Sequence, residues 1–350
     1  MTASATTPKF RGTRGERRRI LIERIGAISL TFVAIIWIVA NLIKAPQQFA
    51  QVALFGLRNG LLYALIALGY TLVYGIIELI NFAHGDLFML GAVFSSFFIT
   101  VWFKQKESNP AGWITFGACL ISVMTLGAIT NVLIERLAYR RLRHAPKLAP
   151  LITAVGVSFT LNFIGLKWNG STPKQWPTVI PHGDVYLGGV RISMVTIILV
   201  LIVIPLLLAL NFVVTKTKQG KAMRATAQDK DASALMGINV NKTIAFTFAL
   251  GGALAGAAGL LYQQSIGTTS YNLGFQLGLI AFTSAVLGGI GNLWGAVLGA
   301  LLIGLIQGLN DGLPIAFGQQ WSQSVVFTIL IVILVFKPAG LLGKATTEKV

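Results

Sequence analysis

Acidic side chains are scarce in this chain. It holds 11 Asp and Glu against 28 Lys and Arg in 350 residues, and charged residues of both signs make up only 11%. Soluble domains carry about 25%, so a water-facing globular surface is excluded for most of the molecule. Cysteine is nearly absent. The single Cys119 lies in an apolar run and cannot form an intrachain disulfide, so it leaves the redox compartment open. A G-x-x-x-x-G-K-[ST] phosphate loop is missing: Gly343-Lys344 is followed by Ala345, and Pro338 stands at the first glycine position. The chain therefore does not read as an ATPase. H-E-x-x-H and paired Cys/His patterns are also missing, which removes the usual metal sites. The apolar runs contain almost no Asp, Glu or Lys. That argues against a carrier driven by an intramembrane proton relay, and the lack of a catalytic constellation disfavours a membrane enzyme.

What the chain has in abundance is apolar sequence. Hydrophobic residues reach 55% and the mean hydropathy is +0.74. A membrane span needs about 20 mostly apolar residues. Runs of that kind lie near 20–43, 52–78, 86–103, 112–134, 148–166, 192–214, 243–263, 275–290, 293–310 and 321–336. The expectation is an all-α polytopic membrane protein with about ten transmembrane helices. The eighth run is short and glycine-rich, and reads as a candidate broken or re-entrant helix. The first run is longer than the roughly 7–15 residues of a signal-peptide core, so it reads as a retained helix.

The net charge of +17 is concentrated rather than spread. Basic residues cluster before the first run, in 135–147, in 215–242 and at the tail, which includes Lys337, Lys344 and Lys349. With ten crossings these segments share one side, and the positive-inside rule makes that side cytoplasmic, both termini included. This distribution belongs to a membrane protein, not a nucleic-acid binder. Trp102, Trp113, Trp168 and Trp321 fall near the opposite boundaries, as an aromatic belt would. The longest outer loop, 167–191, carries Pro173, Pro177, Pro181 and Gly183, which stop helices.

Four features invite a functional reading. The junction Asn81-Phe82-Ala83-His84-Gly85-Asp86 interrupts apolar sequence with polar groups. Asn81, His84 and Asp86 are either helix caps at the cytoplasmic surface or a gate, and capping is the commoner use. Gly85-Asp86-Leu87-Phe88 is echoed by Gly291-Asn292-Leu293-Trp294, where Asp and Asn suit the N-cap position of an outgoing helix. Tyr63, Tyr70 and Tyr74 share one helix face and either line a path or pack between helices, packing being the commoner role. The segment from Gln219 to Ile238 has an alanine-rich helical middle, interleaved apolar Met223, Ala227, Leu235 and Met236, and a capping Gly237. It is either a solvated linker or a short helix that docks a partner. Glycines at 291, 295 and 299, at 304 and 308, and at 252 and 256 have the spacing of close helix packing.

The stretch Asn59 to Ile77 leading into Ile80-Asn81-Phe82-Ala83-His84-Gly85-Asp86 resembles the signature of the LivH family, the permease subunits of bacterial branched-chain amino-acid ABC importers. Ile134-Glu135-Arg136-Leu137-Ala138-Tyr139-Arg140, the Gln219–Ile238 segment and Phe282-Thr283-Ser284-Ala285-Val286-Leu287-Gly288-Gly289-Ile290-Gly291 extend the likeness over roughly 50–342. The resemblance implies a translocation subunit that binds no cofactor itself. ATP would be used by two separate ATPase subunits, beside a LivM-type permease and an extracytoplasmic binding protein, in the bacterial inner membrane. It implies a coupling loop carrying Arg224, Ala227, Asp231, Leu235 and Gly237, and it moves the Asn81–Asp86 junction towards function. The implied cargo is Leu, Ile and Val. Urea or another small amide is the rival within the group, and a passive channel the rival outside it. The domain organisation expected is a basic arm and additional helix over 1–45, a permease domain over 46–342 and a tail over 343–350.

Overall fold

A computed structural model of the chain describes residues 29, 32–33, 35–79, 81–105, 111–143, 145–146, 148–177, 179–180 and 183–343. The basic arm, the beginning of the first apolar run, Lys147 and the tail from residue 344 lie outside the described residues. The helices are α1 (Ile35–Lys44), α2 (Pro46–Ile77), α3 (His84–Phe97), α4 (Gly112–Ile134), α5 (Leu148–Asn169), α6 (Met194–Lys216), α7 (Lys218–Gln228), α8 (Lys230–Leu235), α9 (Val240–Ile266), α10 (Leu273–Gly288), α11 (Leu293–Gly312) and α12 (Ser322–Phe336). Wider π turns extend α3 through Phe98–Trp102 and α4 through Glu135–Tyr139.

Eight helices among the described residues are long and apolar enough to cross a membrane: α2 to α6, α9, α11 and α12, with α3, α4 and α12 counted together with their short extensions. The shorter apolar α1 and α10 stand where the first and eighth runs were expected. α10 is continuous over 16 residues. The chain instead turns inside the bundle between α2 and α3.

Composition decides which helices go inside. The richest window of α2 is 83% buried, and that of α12 only 11%. α2, α3, α9, α10 and α11 form the inner bundle, while α4, α5, α6 and α12 present outward apolar faces such as Ile121, Phe159, Phe163, Leu208, Phe212 and Ile331. In water such faces would aggregate; against lipid tails they carry no penalty. The inner helices meet through glycine. A Cβ added at Gly56 would lie 2.7 Å from the Gly304 carbonyl oxygen, and one at Gly308 would lie 2.6 Å from the Gly56 Cα. Backbone touches backbone where α2 crosses α11, so no side chain fits between them.

One end of the bundle carries small β elements. The strand Lys174–Gln175 pairs with Thr268–Thr269, and a hairpin pairs Asp184–Leu187 with Val190–Ser193. The hairpin turn is Gly188-Gly189, both at positive φ, the backbone a two-residue turn demands. The Gln51 side chain pins the hairpin to α2, donating to the Arg191 carbonyl at 2.9 Å and accepting from its N–H at 2.8 Å. Trp102, Trp113, Trp168 and Trp321 are exposed at helix termini at this end.

Candidate functional site

α2 stops at Glu78, whose backbone is left-handed (φ 60°) and donates to the Tyr74 carbonyl at 2.8 Å. The chain then folds back into the bundle instead of crossing its surface. The His84 ring lies against Gly69 and Gly251 and turns towards the Ile66 carbonyl. Gly69 is about two turns inside the end of α2, roughly 12 Å at the rise of a helix. On another side Gly85 fits against Gly274 and Gly278 of α10; a Cβ at Gly85 would be 2.8 Å from the Gly278 Cα. Asn81, His84 and Asp86 are all buried. The junction therefore re-enters the bundle, with Asn81 in the connection and His84 and Asp86 in the first turn of α3, none of them at the surface of the chain. Asp86 does not cap α3: Ala83 holds the cap position and Asp86 sits in the first turn. Asn292 does cap α11, accepting from Gly295 N at 3.1 Å, so the two echoed motifs end in different roles.

Each polar group of the loop meets a different helix. Ser158 of α5 donates to Asp86 Oδ2, and the Asn162 amide approaches the same carboxylate. Tyr139 of the second π turn donates to Asn81 Oδ1 at 2.8 Å. The Tyr70 ring stands edge-on to His84, with centroids 4.8 Å apart, and to Phe282, at 5.8 Å. The Tyr70 hydroxyl faces the Gly85 backbone N–H. Tyr70, Tyr74, Asn81, Phe282, Ala285 and Ile290 enclose a cavity with room for about one water molecule. The Asn81 amide nitrogen has no partner among the described residues. Three of the six sequence candidates thus share one cavity. Tyr63 is not among them. It lies two turns along the same face, where it donates to Gln307 of α11 at 2.8 Å, an interhelical packing bond.

The 215–242 segment forms two helices outside the bundle. Thr217 caps α7, accepting from Gly220 N at 3.0 Å. Asp229 breaks the helix with extended backbone and caps α8, accepting from Asp231 N and Ala232 N at 2.9 Å each. Met223 is buried against the bundle and Ala227 is half-buried; Arg224, Asp231 and Leu235 face out. Arg224 donates to the Val214 carbonyl, tying α7 to α6. Gly237 ends α8 at φ 80°, with its N–H on the Ala234 carbonyl and the Ile238 N–H on the Ser233 carbonyl, both at 3.0 Å. That is the C-terminal capping expected of this glycine. Leu235 and Met236 stand at the tip, 89% and 84% exposed.

A second buried cluster is absent from the sequence candidates. Glu135 is fully buried at the foot of α4, and accepts from Arg143 and, at 3.4–3.5 Å, from Arg140. Arg143 also donates to Asn241 Oδ1 at 2.6 Å, in the first turn of α9. Burial lowers the Arg143 guanidinium from its usual value, and the Glu135 carboxylate pulls it back up. The clue was an acidic residue closing an apolar run among arginines five and eight residues on. The Ile134–Arg140 stretch contributes to the family likeness, but basic loops beside membranes are so common that the pattern alone assigns Glu135 no role.

These features define a polytopic α-helical membrane protein with a buried polar loop and an external helical tip. The chain matches the family described as branched-chain amino acid transport system / permease component over residues 52–335. It is 39% identical over 309 residues to the high-affinity branched-chain amino acid transport system permease protein BraD of Pseudomonas aeruginosa, covering 87% of this chain and 98% of that protein. It is 35% identical over 309 residues to the permease protein LivH of Escherichia coli strain K12, covering 86% and 98%. A probable branched-chain amino acid transport permease protein LivH of Methanocaldococcus jannaschii is 29% identical over 292 residues, covering 81% and 89%. No solved structure matches the chain. The chain belongs to the branched-chain amino-acid permease family.

Proposed function

We propose that this chain is a translocation subunit of an ATP-driven importer for Leu, Ile and Val in the bacterial inner membrane. It works with a LivM-type permease, two ATPase subunits and an extracytoplasmic binding protein. Its own residues move the cargo and bind no nucleotide. The observation that carries the reading is the α7–α8 tip, in a chain that matches permease subunits over nearly their whole length. Two large apolar side chains, Leu235 and Met236, project into solvent on a segment whose other face, Met223 and Thr226, is seated on the bundle. An apolar knob held on a short capped helix is a docking element, and its occupant here is the ATPase. The basic residues around it, Lys218, Lys221, Arg224 and Lys230, favour the cytoplasmic side for this end. Asn81, His84, Asp86, Tyr70 and Tyr74 then belong to a gate inside the membrane, and Tyr63 supports it through α11.

The test is reconstitution in liposomes of this chain and its partners, singly and together, with inward uptake of labelled leucine followed with and without ATP. Uptake is expected only from the full assembly with ATP. Replacing Leu235→Asp together with Met236→Asp should abolish co-purification of the ATPase and uptake alike. Concentrative uptake by this chain alone would refute the reading. Uptake of urea in place of leucine by the full assembly would keep the mechanism and change the cargo.

A further inference from the structure

The external tip and the buried loop are joined by short stretches of chain linked by polar contacts. From the tip at Leu235 and Met236 the chain needs only Gly237, Ile238 and Asn239 to reach α9. Asn239 caps that helix, accepting from Lys242 N at 3.0 Å. Asn241, in its first turn, holds Arg143 at 2.6 Å, and Arg143 holds the buried Glu135. Glu135 opens the π turn that Tyr139 closes, and Tyr139 holds Asn81 at 2.8 Å. Asn81 lines the cavity that also holds Tyr70 and Tyr74. Phe248 of α9 packs on the Tyr139 ring, with centroids 5.8 Å apart, and its carbonyl accepts from Asn131 of α4 at 2.7 Å, so the foot of α4 moves with α9.

We propose that Glu135 and Tyr139 are positioning residues that couple the docking tip to the re-entrant loop, with the π turn as the element that switches. The proposal rests on the importer reading of this chain. Two physical points favour it over simple structural support. A buried ion pair rarely stabilises more than the apolar residues that would replace it, so stability alone does not account for Glu135 at the end of an apolar helix. A π turn also has a discrete alternative. It holds about one residue more than an α turn, and reverting to α geometry rotates the rest of the helix by about 100°. Such a step would carry Tyr139 off Asn81 and free the loop. A load on the tip reaches this turn through Asn241 and Arg143, which grip it at the far end. Coupling is thereby assigned to an element with two arrangements and not to nearness alone.

The test uses the complete importer in liposomes, with Tyr139→Phe, Asn241→Ala and the double variant. Three readouts are needed: ATPase co-purification, ATP hydrolysis without and with leucine-loaded binding protein, and leucine uptake per ATP. Phe keeps the ring on Phe248 and removes only the hydroxyl, and Asn241 is exposed, so both substitutions leave the apolar packing in place. Each single variant should keep wild-type co-purification and unstimulated hydrolysis, and lose about 5-fold in uptake per ATP. The double variant should also lose about 5-fold and not the roughly 25-fold expected of independent sites. Wild-type uptake per ATP in either single variant would overturn the proposal. So would a multiplicative loss in the double variant, or a parallel fall in co-purification and unstimulated hydrolysis, which marks a merely structural role. Failure of the wild-type chain to co-purify the ATPase would instead refute the importer reading, and it is visible before any variant is made.

Discussion

At the scale of single residues, buried polar groups are held to different degrees: Glu135 is fully paired, whereas neither ring nitrogen of His84 has a partner among the described residues. Glu135 is the clearest case of pairing. Its carboxylate is fully enclosed and faces two guanidinium groups, from Arg143 and Arg140. Taking a carboxylate out of water is costly unless paired, and removing one partner of a buried pair costs about 3–5 kcal/mol. The side chains of Arg143 and Arg140 keep 12% and 33% of their exposure, so water can partly replace the lost partner. Glu135→Ala is therefore expected at the low end, a loss of about 3 kcal/mol, read as a lower unfolding midpoint in detergent. Glu135→Gln keeps acceptor oxygen and shape and should lose clearly less. Equal midpoints for wild type and Glu135→Ala would mean that the pair is not intact in solution. The same scale explains what sequence could and could not tell about the loop. Asn81, His84 and Asp86 stood out because polar residues are rare between apolar runs. Their depth did not, because depth depends on Gly69, Gly251, Gly274 and Gly278, which come from three other helices.

Between helices, glycine spacing was the legible signal and its partners were not. Gly304 and Gly308 announce a close crossing, and the structure supplies α2, with Gly56 and Gly60, as the other half. A valine at Gly308 would drive two methyl groups into the backbone of α2. No rotamer relieves that, so Gly308→Val is expected to cost at least about 3 kcal/mol, at or above the usual range for overpacking. Gly156 of α5 is the control, since nothing lies within 4 Å of a Cβ built there. Gly156→Ala should be neutral, or stabilising by up to about 1 kcal/mol through helix propensity. Thermal unfolding of both variants in one detergent checks the pair, and equal destabilisation would contradict the crossing. The tyrosine series teaches the complementary lesson. Periodicity placed Tyr63, Tyr70 and Tyr74 correctly on one face. What each meets changes with height: Gln307 for Tyr63, and the re-entrant loop and its cavity for Tyr70 and Tyr74. Likewise, the alanine-rich segment was legible as helical, but its division into α7 and α8 depends on Asp229 capping the second piece.

Across the whole molecule, the two ends of the bundle differ in character, and that difference predicts an orientation. Trp102, Trp113, Trp168 and Trp321, four of the five exposed tryptophans among the described residues, gather with the hairpin pinned by Gln51 at one end; Trp294 is exposed at the start of α11. The α7–α8 tip, the Glu135 cluster and the described basic residues of 135–143 and 216–242 gather where α4 and α6 finish and α9 begins. Basic residues within short loops set orientation because they resist translocation, whereas interfacial tryptophans mark boundaries without choosing a side. The basic end is thus expected in the cytoplasm and the hairpin end outside. A reporter fused after Val350 and another inserted in the 169–183 loop should report opposite compartments, cytoplasmic for the first and extracytoplasmic for the second. Moving positive charge offers a sharper check. Lys216, Lys218, Lys221 and Arg224 stand within one short stretch beside the membrane end of α6. Exchanging them for neutral residues while adding four lysines to the 169–183 loop should weaken the bias, so that part of the population reports inverted topology. If both reporters share a side in the unaltered chain, the chain crosses the membrane an odd number fewer or more times between them. If the shared side is the cytoplasm, α7–α8, one crossing from the loop, would face away from any cytoplasmic ATPase, and the docking assignment would fail with the topology.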